Sequence, residues 1–213
     1  MKRQITLGEV CRIDIGKTPS RGNSFFWDPG KKEDFPWLSI ADLNNLDDDG
    51  TISHSKEHIS SGGANLFKPV PAGTLLMSFK LTIGRLAFTG REIHTNEAIA
   101  ALIPIKPYEL DKRFLYYFLM SHDWEKIAGS DVKVKGKTLN KKKIGNLPIN
   151  IPAIEKQREI VEYLDSVMKK IKEKQMNDDL ILEESKKIFI SYRDSLLAKV
   201  NEGTSEIEFG EVG

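Results

Sequence analysis

The sequence predicts an α+β protein: a globular mixed α/β domain followed by one long C-terminal coiled-coil helix. Three observations lead there. Through residues 1–152, short runs rich in β-branched and aromatic residues alternate with turns marked by Gly and Pro. After that, no Pro or Gly interrupts Ala153 to Glu202, and apolar residues recur at a spacing of three and four. The 213 residues are 39% hydrophobic and 30% charged, the balance of a globular chain with a sizeable core.

Each element follows in order. Thr6-Leu-Gly-Glu9 has the form of a capping box, which predicts a short helix over Leu7 to Arg12. Ile15-Gly-Lys-Thr-Pro-Ser-Arg-Gly22 is a loop by its Gly, Pro and Ser content. Phe25-Phe-Trp27 reads as a loop anchor and Trp37-Leu-Ser-Ile40 as a strand. Asp47-Asp-Asp-Gly50 is a charged turn. Thr74-Leu-Leu-Met-Ser-Phe79, Gly84-Arg-Leu-Ala-Phe88 and Ala98-Ile-Ala-Ala-Leu-Ile-Pro-Ile105 read as strands, the last of them buried. Asp111 caps a helix with Phe114, Leu115, Phe118 and Leu119 on one face, running to Ala128 and stopping at Gly129. Asn140 is an N-cap for a short helix, Lys141 to Ile144, followed by a short apolar strand and Pro152.

Pro152 marks the start of the long helix, since a first turn does not need the missing N–H. Ile160, Leu164, Val167, Ile171, Ile181, Ile188, Tyr192 and Leu196 then keep one face. The stripe is interrupted at Lys172-Glu-Lys-Gln-Met-Asn-Asp-Asp179, where the seam carries Lys174 and Asp178. Either the chain breaks there into a hairpin of two helices, or it continues and the polar seam sets pairing register. Nothing in the interruption is a strong helix breaker, which favours a continuous helix roughly 70 Å long. The predicted division is 1–152 for the globular domain, 153–203 for the helix and 204–213 for a tail.

No apolar run reaches the ~18 residues of a membrane span, and Met-Lys-Arg-Gln-Ile-Thr lacks the apolar core of a signal peptide. Cys11 is the only cysteine, which excludes an internal disulfide and a cysteine zinc site and points to a cytoplasmic protein. The net charge of +1 hides an asymmetry: residues 1–152 hold 22 of the 32 Lys and Arg but 17 of the 31 Asp and Glu. Between Val132 and Lys143 stand six lysines and no acid, a local electrostatic footprint.

Several chemistries are excluded by spacing. Gly16-Lys17-Thr18 and Gly136-Lys137-Thr138 end like phosphate-binding loops, but Cys11 and Asp131 stand where the first glycine is required. Asp47, Asp48 and Asp49 read as a solvated turn before a metal site. His54 and His58 are four apart in a segment that is not helical, and His94 and His122 complete no ligand pattern. No Gly-x-Ser-x-Gly motif and no Asn-Pro-Pro-aromatic tetrapeptide of the amino-methyltransferases occurs. The chain is expected to be neither an enzyme nor a metal or cofactor protein.

An ordered set of motifs resembles the specificity (S) subunits of type I restriction-modification systems. It comprises Ile15-Gly-Lys-Thr-Pro-Ser-Arg21, Trp37-Leu-Ser-Ile-Ala-Asp-Leu43, His58-Ile-Ser60, Pro71-Ala-Gly-Thr-Leu-Leu-Met-Ser78, Ile83-Gly84 and Thr95-Asn-Glu-Ala-Ile-Ala100. Most telling is Leu147-Pro-Ile-Asn-Ile-Pro-Ala-Ile-Glu-Lys-Gln-Arg-Glu-Ile-Val161, with Leu-Pro, Ile-Pro and then Glu-x-Gln at a helix start. Members of that family usually carry two target-recognition domains, each followed by a long helix, so this chain looks like a half-subunit. Glu97 departs from the Asn-Gln that members often show. The resemblance implies a target-recognition domain that reads one half of a bipartite site in double-stranded DNA. It implies a helix that sets the spacing and docks methyltransferase (M) subunits, with restriction (R) subunits completing the complex. S-adenosylmethionine and ATP belong to those partners on this reading.

On the same reading, Lys133, Lys135, Lys137, Lys141, Lys142 and Lys143 are the expected phosphate contacts. Lysines in the first turn after Asn140 have the wrong sign for the helix dipole, which a bound phosphate would offset. Thr18, Ser20, Arg21, Asn23, Lys80, Thr82, Arg85 and Asn96 lie in polar loops and are the expected base contacts. Arg suits guanine and Asn suits adenine, although Arg21 and Arg85 equally fit structural ion pairs and Asn96 a turn cap. Two copies are expected to pair through antiparallel helices as a homodimer, burying Leu164, Val167, Ile171, Ile181, Ile188, Tyr192 and Leu196.

Overall fold

The computed structural model describes residues 5–47, 50–106, 109–128, 132–133, 136–137, 139–175 and 181–202. In chain order the strands are β1 (Ile5–Thr6), β2 (Cys11–Ile15), β3 (Pro36–Leu38), β4 (Thr51–Ile52), β5 (Glu57–His58), β6 (Leu75–Ser78), β7 (Leu86–Thr89), β8 (His94–Thr95), β9 (Ile99–Pro104), β10 (Val132–Lys133), β11 (Gly136–Lys137) and β12 (Pro148–Ile149). The helices are α1 (Leu7–Val10), α2 (Ser61–Ala64), α3 (Lys112–Met120), α4 (Trp124–Ala128), α5 (Lys141–Gly145), α6 (Ile154–Gln175) and α7 (Ile181–Glu202). The protein is α+β, as expected. Among the described residues the chain forms two compact units, one from Thr6–Ile105 with Asp123–Leu147, the other from Ile5, Lys106–His122 and residues 148–202.

The first unit is built on a five-stranded sheet in the order β2-β9-β6-β7-β4, antiparallel except for the β7–β4 pair. Its inner strands have little polar content. All of Leu75–Ser78 is buried, as are Ile99 to Leu102. The edge strand β2 instead alternates: Cys11 and Ile13 face inward, while Arg12 and Asp14 face outward and pair at 2.9 Å. A three-stranded sheet, β5-β3-β8, joins Pro36–Leu38 antiparallel to Glu57–His58 and parallel to His94–Thr95. Leu38, Ile52, Val70, Leu76, Ile93, Ile99 and Ala101 share one apolar core.

Register fixes where the loops emerge. Ile15 pairs with Ala100 and Ser78 with Ile99. The segment after β2, the β6–β7 connection and the residues before β9 therefore leave the sheet at the same end.

Two expectations shift at element boundaries. The Glu9 carboxylate accepts from the Thr6 N–H at 2.9 Å, so the capping box forms, but its helix ends at Val10 and Cys11 begins a strand. The sequence hides that strand because its polar half, Arg12 and Asp14, disguises a half-buried edge. The helix expected from Asp111 to Ala128 is two helices. Ser121 Oγ donates to the Phe118 carbonyl and Asp123 Oδ1 accepts from the Lys126 N–H, ending one helix and starting the next. Gly129, the expected stop, lies outside the described residues.

The second unit is helical. The Asp111 carboxylate caps α3, accepting from the Arg113 and Phe114 N–H groups. The continuous C-terminal helix favoured from the sequence is instead a hairpin. The rings of Tyr163 in α6 and Tyr192 in α7 are 5.9 Å apart, whereas one uninterrupted helix would separate these positions by about 43 Å. The hairpin covers much of the apolar stripe without a second chain, leaving Ile188 and Tyr192 exposed. Ile160, Leu164, Val167 and Ile171 of α6 and Phe189, Leu196 and Leu197 of α7 are buried. The polar interruption of the stripe falls where α6 ends and α7 has yet to begin; residues 176–180 lie outside the described residues. Among the described residues, no helix is long and apolar enough to cross a membrane.

Gln157 explains the Glu-x-Gln sequence at the start of α6. It is 0% exposed. Its Oε1 accepts from the Asp111 N–H at 2.8 Å, and its Nε2 donates to the carbonyls of Glu109 at 2.8 Å and Pro152 at 2.9 Å. One amide thus ties the approach to α3 to the approach to α6. Nearby, Asp165 accepts from Arg113 Nε at 3.2 Å and from the Tyr117 hydroxyl. Burial, followed by that bond, pushes the Tyr117 hydroxyl above its ordinary pKa.

Candidate nucleic-acid interface

The loop after β2 is held down by two tryptophans. Trp37 Nε1 donates to the Lys17 carbonyl at 2.9 Å, and Trp27 Nε1 donates to the Ser20 carbonyl at 3.0 Å. Gly16 is where the loop crosses the chain before β9: a Cβ there would lie 2.1 Å from the Thr95 carbonyl oxygen. Asn23 Oδ1 accepts from the Phe25 N–H at 3.0 Å and caps a 3-10 turn, Ser24–Phe26. Ser20 and Arg21 are exposed on this loop.

Arg21 is stacked as well as paired. Its guanidinium carbon is 4.0 Å from the Trp27 ring centroid and 4.8 Å from that of Trp37. Its two terminal nitrogens face the two carboxylate oxygens of Glu57, Nη2 at 3.0 Å from Oε2. Of the two roles open to Arg21, the ion pair is the one present here. The hydrogen bond to Glu57 raises the Arg21 pKa further.

The β6–β7 connection is organised by Ser78. Its N–H donates to the Arg85 carbonyl at 2.9 Å, its hydroxyl donates to the Thr82 carbonyl, and its Oγ accepts from the Arg85 N–H at 3.0 Å. Gly84, at φ +84°, lies under Trp124, where a Cβ would come 2.0 Å from the indole Cδ1. Phe79 is buried, and its carbonyl accepts from the Leu139 N–H at 2.9 Å. Lys80 Nζ sits 5.5 Å from the Phe79 ring, and Thr82 is exposed. Leu81 between them has φ +62° and is 61% exposed.

Asn96 caps its own turn: Oδ1 accepts from the Ala98 N–H at 3.0 Å. Beside it, Glu97 accepts from the Thr18 hydroxyl. Partial burial alone would raise the Glu97 pKa. The Thr18 hydroxyl, its own backbone N–H, Lys80 and Arg21 overcome that and hold the carboxyl below its ordinary range. A carboxylate so placed can accept from a cytosine N4 amino group. Thr18 thus bonds to, and the charges of Lys80 and Arg21 act on, a carboxylate that stands out in the sequence only as a departure from a pattern.

The lysine cluster is distributed differently. Asn140 Oδ1 accepts from the Lys143 N–H at 2.8 Å, so the expected N-cap is present. Lys141 and Lys142 are exposed and Lys143 is half-buried. Lys141 lines a groove with Gly8, Cys11, Arg12 and Ile103 to Ile105, beside the start of β2 rather than its loop end. Burial pushes the Cys11 thiol there up to about 12, which leaves it unreactive. Lys133 and Lys137 belong to the β10–β11 hairpin, where only the backbone is described, and Lys135 lies outside the described residues.

Elsewhere, His54 Nδ1 is 3.2 Å from Asp47, while His58 Nδ1 faces the Glu33 carbonyl at 3.1 Å. Asp48 and Asp49 lie outside the described residues. Of the residues expected at a dimer seam, Leu164, Val167, Ile171 and Leu196 are buried within the chain, and Ile188 and Tyr192 are exposed. The Ile181 side chain is not among those described.

The family described as "Type I restriction modification DNA specificity domain" matches residues 2–180. The chain belongs to this family. The HindI specificity subunit of Haemophilus influenzae is 32% identical over 115 residues, 53% of this chain and 23% of that protein. The MjaIX specificity subunit of Methanocaldococcus jannaschii is 26% identical over 206 residues, 90% of this chain and 44% of that one. The EcoR124I/EcoR124II specificity subunit of Escherichia coli is 25% identical over 173 residues, 75% of this chain and 39% of that one. The type I specificity domain thus spans less than half the length of these relatives. In fold, the chain is similar to the HsdS subunit of Thermoanaerobacter tengcongensis, with a TM-score of 0.62 at 23% identity over 94% of this chain and 45% of that one. The S subunit of M. genitalium gives a TM-score of 0.54 at 14% identity over 80% of this chain and 40% of that one.

Proposed function

We propose that this type I specificity domain binds double-stranded DNA and reads one half of a bipartite site with the loops at one end of its five-stranded sheet. The carrying observation is the convergence there of the β2–β3 loop, the β6–β7 connection and Asn96–Glu97, where Thr18 bonds to Glu97, Arg21 pairs with Glu57, and the charges of Lys80 and Arg21 help hold the Glu97 carboxyl below its ordinary range. Phosphate contacts from Lys141 and Lys142 supply affinity, and the loop side chains supply sequence. The remaining cluster lysines, Lys133, Lys135, Lys137 and Lys143, act with them. The globular part, 1–152, is the recognition domain, and 153–203 carries the contacts to methyltransferase subunits, which in turn recruit restriction subunits.

The second half-site is read by a second recognition domain. If that domain comes from another copy of this chain, the exposed Ile188 and Tyr192 are seam residues left to pair, because the hairpin already covers Leu164, Val167, Ile171 and Leu196. The complex works in the cytoplasm, with S-adenosylmethionine and ATP held by its partners.

The test is selection from random duplex DNA, followed by affinity measured across salt concentrations. A defined half-site with a steep salt dependence supports the reading. Binding to a partner protein with no affinity for DNA would replace it with an interaction module, and cleavage by the isolated chain would replace it with a nuclease.

A further inference from the structure

Leu81 is placed at odds with its chemistry twice. It adopts φ +62°, a left-handed conformation that favours Gly or Asn and strains a leucine. It is also 61% exposed, although leucine gains from burial. A turn that needed only this backbone would be better served by glycine, so the leucine side chain is what the position keeps. Strain of this kind persists where the surroundings over-determine it. Here they do: Ser78 bonds to the carbonyls of Thr82 and Arg85, Gly84 is wedged under Trp124, and Phe79 is buried. The loop is fixed at its root, and Leu81 is carried at its tip beside Lys80 and Thr82.

We propose that Leu81 is a specificity-determining residue that contacts the 5-methyl group of a thymine in the major groove. This rests on the DNA-recognition reading above. The β6–β7 connection leaves the sheet at one end with Leu81 and Thr82 exposed, so its tip can enter the major groove, where thymine is the base that presents an apolar group. Lys80, flanking Leu81, suits the phosphates that border the groove.

The test uses the full chain and its selected DNA site, with each thymine replaced in turn by deoxyuridine, which lacks only the methyl group. At one position the parent should lose affinity about fourfold, the factor for one buried methyl group. Leu81→Gly should bind the thymine site at least that much more weakly and should not distinguish thymine from uracil there. Its melting midpoint should equal or exceed the parent's, because glycine relieves the left-handed strain. Leu81→Asn, which also tolerates that conformation, serves if the glycine variant is unstable. If the variants keep the parent's thymine preference, or weaken binding without changing it, or if the parent discriminates at no position, the thymine contact is overturned. A parent with no sequence preference at all would remove the DNA-recognition reading itself, a different and separately visible failure.

Discussion

Gln157 and Arg21 are both polar side chains with several partners, and they stand at opposite extremes of exposure. Gln157 is 0% exposed and makes three hydrogen bonds to backbone groups. The Arg21 side chain is 53% exposed, and its partners are a carboxylate and two indole faces. The helical unit uses polarity inward, where unmet groups are costly and the bonds select one packing. The loop end of the sheet uses polarity outward, where a bond is readily exchanged for a ligand. Within the loops the contrast repeats between roots and tips: Gly16, Ser78 and Gly84 are enclosed by neighbours, while Ser20, Leu81 and Thr82 face solvent.

The largest effect should come from a loop root. Gly16→Ala would place a Cβ 2.1 Å from the Thr95 carbonyl and 2.4 Å from the Asn96 carbonyl. Neither backbone atom can turn aside, so a loss of about 3 kcal/mol is expected in denaturant unfolding. A loss under about 0.5 kcal/mol would show that the root is soft and end the distinction between roots and tips.

Next is the inward polarity of the helices. Gln157→Leu keeps the volume but leaves the Asp111 N–H and the carbonyls of Glu109 and Pro152 without that partner. About 2 kcal/mol should be lost, since these groups are only partly screened by water. Base preference in DNA selection should not change. A changed preference with intact stability would mean that the helical unit takes part in reading.

A third measurement uses pH. His94 is 3% exposed, its Nδ1 has no hydrogen-bond partner among the described residues, and the rings of Phe35 and Phe67 flank it. Burial lowers its pKa, and His122 is lowered as well, also chiefly by burial. A base whose folded pKa is depressed is neutral when folded and protonated when unfolded. Stability is therefore unaffected well above the ordinary value of 6.5 and falls as the pH drops below it, levelling off below the depressed folded value. His94→Phe should remove part of this slope and leave the part due to His122. An unchanged slope would mean that His94 does not carry the effect.

The smallest effect on stability belongs to the exposed lysines. Lys141→Ala with Lys142→Ala should shift unfolding by less than about 0.5 kcal/mol. It should weaken all DNA sequences about equally and flatten the salt dependence by up to roughly 0.9 for each phosphate no longer neutralised. A weakening confined to one base position would turn these residues from anchors into readers.

The sequence carried the elements whose signals are local. The α+β class, the strands at Leu75 and Ile99, the Asn140 cap and the Asp111 cap all follow from periodicity or capping chemistry within a few residues. What failed depended on contacts across the chain. The hairpin of α6 and α7 needed knowledge that two apolar stripes face each other. The edge strand at Cys11 was hidden because only one of its faces is buried. The Arg21 ion pair is not legible locally either, because its partner Glu57 lies 36 positions away. Leu81 gave no signal, since a positive φ at leucine is not written in composition or spacing.

The fixed roots also bear on how such a protein can drift. At Gly16 and Gly84 any side chain collides with backbone or indole, so inherited variation there is removed through loss of the folded state. At Ser20, Leu81 and Thr82 most replacements leave the fold unharmed and alter only what the surface presents. New lettering can therefore accumulate at the tips one neutral step at a time. A lineage of such chains can wander through many surface chemistries while its scaffold stands still.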